Sequence, residues 1–224
     1  MLTWNQPLAV VIEPHQRAHL FKVTEVCSSY PERDKALLGV LLGTPLKLTE
    51  IAQLTIRDLL RENGEYLTES EIRAEIAFNG FSRPLYWSSP KLKNLLDDYL
   101  DARAKRGHQR LAIGTAYRGN DPDSRLFLNN RGQDFALQGR KDKQGNTRYT
   151  CSSLSRLYKQ LLSQAGIDGA TAGSGRRTFA SMLRRRGYDV PHIHALLGNQ
   201  DLKTTRRMLD SDPVDMGQIA AKAF

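Results

Sequence analysis

Three segments in the last quarter of the chain decide its fold: Gly175-Arg-Arg-Thr-Phe-Ala-Ser-Met-Leu183, Leu196-Leu-Gly-Asn199 and Thr204-Thr-Arg-Arg-Met208. These segments and the residues between them favour helices. The spacing predicts helices over 176–186, 191–197 and 202–209, after one over 153–165 and before a short one near 214–221. We therefore expect this end of the chain to be helical and basic.

The residues before these segments predict more helices. Pro14 opens a helix that the pair Tyr30-Pro31 ends, and a leucine-rich helix follows over about 33–42. A short helix is expected over 47–54. A long one covers about 91–105, because Ser89-Pro90 is typical of a helix start.

Two stretches predict small β elements. Residues 71–78 alternate polar and apolar side chains, Asn79-Gly80 is a hairpin signal, and 81–87 then returns as the partner strand. A further short strand is expected over 125–128, and 139–149 reads as a polar, basic loop. The predicted fold class is mainly α with a small antiparallel β-hairpin (α+β), in one domain over 1–224.

Composition narrows the function classes. The 224 residues carry 33 Lys+Arg against 24 Asp+Glu, a formal charge of +9, and residues 140–224 alone hold 15 against 7. Such an excess favours a polyanionic partner. Cys27 and Cys151 offer neither a disulfide framework nor metal-ligand spacing, and no apolar run is long enough for a membrane helix. With no signal peptide visible, we expect a cytoplasmic, nucleoid-associated protein without a metal or cofactor.

The three segments at 175–183, 196–199 and 204–208, together with Ala165-Gly-Ile-Asp before them, resemble the tyrosine recombinase (phage integrase) family. That family shows His-x-x-Arg running into a helix with Thr-Phe-Ala, then Leu-Leu-Gly-His, then Thr-Thr-x-x-Tyr, in this order and spacing. Gly43-Thr-Pro-Leu-Lys-Leu-Thr-Glu-Ile resembles its Thr-Gly-Leu-Arg-x-Ser-Glu segment, and Leu126-Phe-Leu-Asn-Asn-Arg-Gly resembles a strand of the family. The resemblance is to the catalytic domain alone. It predicts the tyrosine recombinase catalytic-domain fold, with the N-terminal core-binding domain absent.

The resemblance implies a metal-free chemistry on DNA. In the family, a Tyr hydroxyl attacks a DNA phosphate and forms a 3′-phosphotyrosyl link. Two Arg bind the non-bridging oxygens and stabilise the charge of the transition state. A Lys on the hairpin and the His of His-x-x-Arg assist proton transfer, and a second His or Trp contacts the phosphate.

This chain departs from that set at most positions. The second Arg is kept as Arg176, but the first matches Lys47, which retains the charge without the planar fork. The first His matches Gly173, which has no side chain for proton transfer, and the second matches Asn199, which still donates a hydrogen bond. The Tyr matches Met208, which is not a nucleophile. The pocket remnants are therefore Lys47, Arg176 and Asn199.

The other family positions offer no substitute. The hairpin region 70–88 has no Lys, only Arg73 and Arg83, and no Tyr occurs from 199 to 224. Tyr188, the last of eight, precedes the expected position by about twenty residues. An engineered knockout changes one residue as a rule, so five altered positions indicate natural loss of the catalytic set.

The candidate residues also have plainer interpretations. Arg176 and Lys47 are phosphate ligands or surface cations, and Asn199 is a pocket residue or a turn and cap residue. Met208 is expected to pack in the core. The residues of the predicted DNA-binding set share a positive charge, and all of them except Lys47 lie within 140–224; the alternative is that they form a solvated face. The set is Lys47, Arg140, Lys141, Lys143, Arg176, Arg177, Arg206 and Arg207.

Three functional hypotheses follow. The first is a catalytically inactive recombinase-fold protein that binds double-stranded DNA, as an accessory factor beside an active recombinase or as a mobile-element remnant. The second is an active strand-cutting enzyme with a rearranged pocket. The third is a protein-interaction module that has lost DNA binding. The missing Tyr, His and hairpin Lys argue against the second, and the basic excess argues against the third.

Overall fold

The computed structural model describes residues 9–109, 114–141 and 147–210. Its helices are α1 (Pro14–Cys27), α2 (Pro31–Gly43), α3 (Leu48–Ile51), α4 (Pro90–Lys105), α5 (Ser152–Gln164), α6 (Ser174–Arg185), α7 (Val190–Leu197) and α8 (Leu202–Asp210). Its strands are β1 (Glu69–Ile72), β2 (Arg83–Tyr86), β3 (Gln138–Lys141) and β4 (Thr147–Thr150), which form two antiparallel hairpins. The mainly helical class is confirmed. The short helix expected near 214–221 lies outside the described residues, as does Lys143.

Helix α2 is the centre of the larger core. Pro31 occupies its first turn, and Glu32 and Asp34 place negative charge at the positive end of the helix dipole. Nearly every side chain from 36 to 42 is buried, so the helix is enclosed by its neighbours rather than amphipathic. Its contacts are chiefly with α4, α1 and α6.

Helix α6 approaches α2 at a glycine. A Cβ on Gly175 would lie 2.6 Å from the backbone oxygen of Leu41, so the close approach depends on the missing side chain. Beyond α6, a smaller apolar cluster of Ala180, Ile193 and Leu197 with Leu209 joins α6, α7 and α8. The three segments quoted at the outset therefore form one three-helix unit, which packs on α2 through α6.

Three β predictions are corrected by the structure. The strand predicted over 71–78 ends at Ile72, and a ten-residue connection of turns leads to Arg83. Its turns are fixed by backbone bonds such as Ala77 N–H to Arg73 O. Residues 125–128 make only isolated bridges, from Arg125 to Thr55 and from Leu128 to Asp134. The region predicted as a loop holds β3 and β4.

Candidate phosphate pocket

The pocket is assembled from four places in the chain. Lys47 precedes α3, Phe78 lies in the connection after β1, Arg83 begins β2, and Arg176 lies in the first turn of α6. All three cations surround the Phe78 ring: the Lys47 Nζ is 3.4 Å from the ring centroid, and the guanidinium carbons of Arg176 and Arg83 are 4.7 and 5.3 Å from it. A cation over an aromatic face is attracted by the ring quadrupole.

Arg176 is buried and held by oxygen atoms on two sides. Its Nη1 donates to Pro45 O at 2.8 Å, and its Nη2 donates to Leu197 O at 2.6 Å and to Asn199 Oδ1 at 2.7 Å. Burial lowers the pKa of Arg176 to about 10, with the nearby Arg83 acting in the same direction and Glu50 opposing it. The group therefore remains a cation at neutral pH.

A hydrogen-bond chain continues from Arg176 into α8. The amide nitrogen of Asn199 donates to Thr205 Oγ1 at 2.9 Å, and the Nδ1 of His194 lies 2.9 Å from the same oxygen. Thr205 is fully buried. Asn199 thus has a side-chain role in the pocket as well as its place after the αL glycine Gly198.

Glu50 is the carboxylate of the pocket and is completely buried. It accepts from the backbone N–H of Lys47 at 2.8 Å and of Phe78 at 3.1 Å. It also accepts from Arg83 Nη2, at 2.8 Å through Oε1 and 2.7 Å through Oε2. These bonds fold the 73–82 connection back over α3, which explains why the strand predicted to reach Phe78 stops early.

The structure brings together the three predicted remnants Lys47, Arg176 and Asn199. Met208 is half-buried and packs on the apolar cluster of α6, α7 and α8, in line with the core role expected of it. Gly173 lies at the start of α6 and is exposed. Sequence reasoning missed Arg83 and Glu50 as pocket residues.

The other predicted cations lie elsewhere. Arg206 and Arg207 are exposed on α8, and Arg140 and Lys141 are exposed on β3. Arg177 is different: it is buried, and its Nη1 donates to the carbonyl of Ala9. That bond directs the Arg177 guanidinium toward the N-terminal segment, and the DNA contact of Arg177 stays a prediction.

A polar cleft of about 800 Å³ opens beside the pocket. Lys47 and Phe78 form one wall, Tyr149 of β4 forms another, and Gln53 and Gln200 complete the lining with their neighbours. Tyr149 is half-exposed. Within the described residues no group of three His, Cys, Asp or Glu side chains could hold a metal ion. None of the described helices is long and apolar enough to cross a membrane.

The chain belongs to the phage integrase family, whose model matches residues 11–213. It is 28% identical over 204 residues to the tyrosine recombinase XerC of Roseiflexus castenholzii. That alignment covers 90% of this chain and 55% of the relative. It is 24% identical over 189 residues to XerC of Bacillus subtilis, covering 84% and 52%. The chain thus spans about half the length of the curated relatives it matches.

Solved structures give the same fold. The XerA recombinase matches with a TM-score of 0.67 at 20% identity, covering 98% of this chain and 66% of that one. The catalytic domain of bacteriophage HP1 integrase matches with a TM-score of 0.55 at 15% identity, covering 96% and 95%. The tyrosine recombinase catalytic-domain fold predicted from the sequence is confirmed.

Proposed function

We propose that this chain binds double-stranded DNA through the pocket side of its recombinase fold and does not cut it. In this role it acts at the nucleoid as an accessory or regulatory factor of DNA recombination or integration, beside an active recombinase. The feature that carries the proposal is a cationic pocket around Phe78 in a chain whose resemblance to the family aligns Met208 with the nucleophilic Tyr. A thioether has no proton to lose and forms no phosphotyrosyl-like link.

The binding half of the proposal is supported by charge. Lys47 and Arg176 contact the Phe78 ring of the pocket. Arg206 and Arg207 are exposed on α8, the helix that also carries Thr205 of the pocket's hydrogen-bond chain. Exposed Arg140 and Lys141 lie on the hairpin whose other strand carries Tyr149, a residue of the adjoining cleft. Two structural neighbours of the same fold, the XerH recombinase and the Tn1549 integrase, are described as bound to DNA.

The non-cutting half is supported by what surrounds the pocket. Gly173 supplies no imidazole, and Asn199 is a hydrogen-bonding amide without a titratable proton. Among the described tyrosines, Tyr149 alone lines the cleft beside Lys47. Tyr149 is therefore the residue at which we would expect a covalent phosphotyrosyl link to DNA, if the chain formed one.

The experiment is fluorescence anisotropy of a labelled duplex across a salt series. We expect weak binding, on the order of micromolar at physiological salt, typical of non-specific contacts. Affinity should fall linearly on a log–log salt plot by about 0.9 per phosphate contact. Failure to bind even at low salt would favour the interaction-module hypothesis instead.

A further inference from the structure

Arg83 is a buried cation, and two of its nitrogen atoms donate no hydrogen bond to any described protein atom. It is 6% exposed, and its Nη2 is committed to Glu50. Its Nε and Nη1 are buried without a hydrogen-bond partner. Buried N–H groups normally find an acceptor, because leaving the bond unmade costs the full desolvation of the group. These donors therefore indicate an acceptor that the described residues do not supply.

The position of Arg83 is fixed rather than incidental. A Cβ on Gly198 would lie 2.5 Å from the Arg83 Cδ, so the side-chain stem packs directly on that glycine. From the same stretch of chain, Asn79 Nδ2 donates to Gly198 O at 2.8 Å. The hairpin connection and the loop after α7 thus clamp Arg83 between them.

The charges around Arg83 do not balance. Lys47, Arg176 and Arg83 all face the Phe78 ring, and Glu50 is the carboxylate bonded to this group. Arg83 and Arg176 are both buried, and the buried carboxylate that faces them carries a single negative charge, that of Glu50. A buried excess of positive charge is costly unless an anion shares the site.

We propose that a phosphate group binds in this cluster and that Arg83 is its second arginine ligand, beside Arg176. Arg83 thereby replaces the guanidinium that the family's pocket has where this chain has Lys47. The inference rests on the proposed function, since a DNA backbone is one source of the phosphate. Free inorganic phosphate is the other source, and the two are separated by experiment.

Phe78 competes with the phosphate for the same cations. The ring lines the cleft together with Lys47, whereas neither Arg83 nor Arg176 reaches the cleft surface. A phosphate that enters from the cleft must therefore displace the ring. Charge-assisted bonds from guanidinium to phosphate are stronger than cation–π contacts, so the exchange is favourable once the phosphate is delivered.

The first arm of the test is thermal unfolding of the full chain with inorganic phosphate at constant ionic strength. Wild type should be stabilised, and Arg83→Lys should raise the apparent phosphate Kd roughly tenfold, because a lysine keeps the pairing with Glu50 but offers fewer fixed donors. Phe78→Ala should lower that Kd. Arg73→Lys is the matched control, since Arg73 belongs to the same hairpin connection but bonds Asp58 and Glu75.

The second arm is anisotropy with a duplex. Weaker binding of both ligands by Arg83→Lys assigns the site to a DNA phosphate, and weaker binding of inorganic phosphate alone assigns it to the free ion. If Arg83→Lys has the same apparent phosphate Kd as wild type and duplex binding is still observed, the inference is overturned and the proposed function stays intact. If phosphate stabilises wild type through Arg83 but no duplex binding is observed, the inference is supported and the proposed function fails.

Two further outcomes are decisive. If Arg83→Lys does not unfold cooperatively, the Phe78→Ala variant decides the question. A phosphate Kd of Phe78→Ala below that of wild type supports the proposed site, and an unchanged Kd overturns the proposal. If phosphate stabilises neither wild type nor Phe78→Ala, the site does not exist.

Discussion

Arg176 and Asn199 are joined by a hydrogen bond of 2.7 Å from the guanidinium Nη2 to the amide oxygen. The bond ties the first turn of α6 to the loop after α7, and the other end of the amide reaches Thr205 on α8. One neutral side chain therefore links the pocket cation on α6 to the loop after α7 and to α8. The resemblance aligns Asn199 with the family's phosphate-contacting His, and in this structure its side chain forms a link between helices.

Asn199→Ala tests that link. Loss of the side chain removes an acceptor from buried Arg176 and a donor from buried Thr205, so the free energy of unfolding should fall by about 2 kcal/mol. Urea denaturation followed by circular dichroism measures it. Gln200→Ala, at the exposed next residue, is the control and should change little; equal effects of the two variants would show that Asn199 has no special role.

Glu50→Gln tests the buried pair with Arg83. An amide still accepts hydrogen bonds but leaves the Arg83 charge without its counterion, so stability should fall by about 3 kcal/mol or more. The same denaturation experiment applies, with exposed Glu71→Gln on β1 as the control. A loss below about 1 kcal/mol, the scale of an exposed pair, would contradict the assignment of Glu50 as the counterion.

Gly175→Ala tests the approach of α6 to α2. The added methyl would meet the backbone oxygen of Leu41 at 2.6 Å, and a backbone atom cannot move aside cheaply, so destabilisation of about 1–3 kcal/mol is expected. Gly173→Ala is the matched control. Its Cβ would lie 3.4 Å from Ala9 Cβ, an ordinary contact, and its effect on the melting temperature should be small.

Arg206 and Arg207 test the DNA-binding surface. Replacing both with Ala should weaken duplex binding and flatten the log–log salt slope by up to about 2 units, one per lost phosphate contact. Lys22→Ala with Lys105→Ala removes the same charge from the exposed faces of α1 and α4 and should leave the slope unchanged. Identical slopes for the two double variants would mean that the effect is net charge alone.

The helices were predictable because their signals are local. Pro31 and Ser89-Pro90 mark helix starts, and the leucines of α2 and α4 repeat at helical spacing, so these elements match within a few residues. The β3–β4 hairpin was missed because its side chains from 138 to 141 are all exposed. A strand that buries neither face leaves no period-two pattern in the sequence.

The pocket was half predictable. The resemblance to the family located Lys47, Arg176 and Asn199, but Arg83 was treated only as a hairpin cation. Its signal was present: alternation along β2 puts Arg83 on the same inward face as Leu85 and Trp87, and a buried arginine requires an acid. The sequence likewise does not distinguish the surroundings of Arg177 from those of Arg176. Adjacent helical residues are about 100° apart, so Arg176 and Arg177 point to different surroundings.

The most direct test of DNA binding without cleavage is a trapping assay on a duplex that the chain is shown to bind by anisotropy. A nicked suicide version of that duplex is incubated with the chain, and the products are run in parallel on a native gel and on a denaturing gel. We predict a retarded complex on the native gel and no denaturant-resistant band, because Met208 offers no nucleophilic hydroxyl. A covalent band that disappears in Tyr149→Phe would contradict the account and identify the chain as an active strand-cutting enzyme.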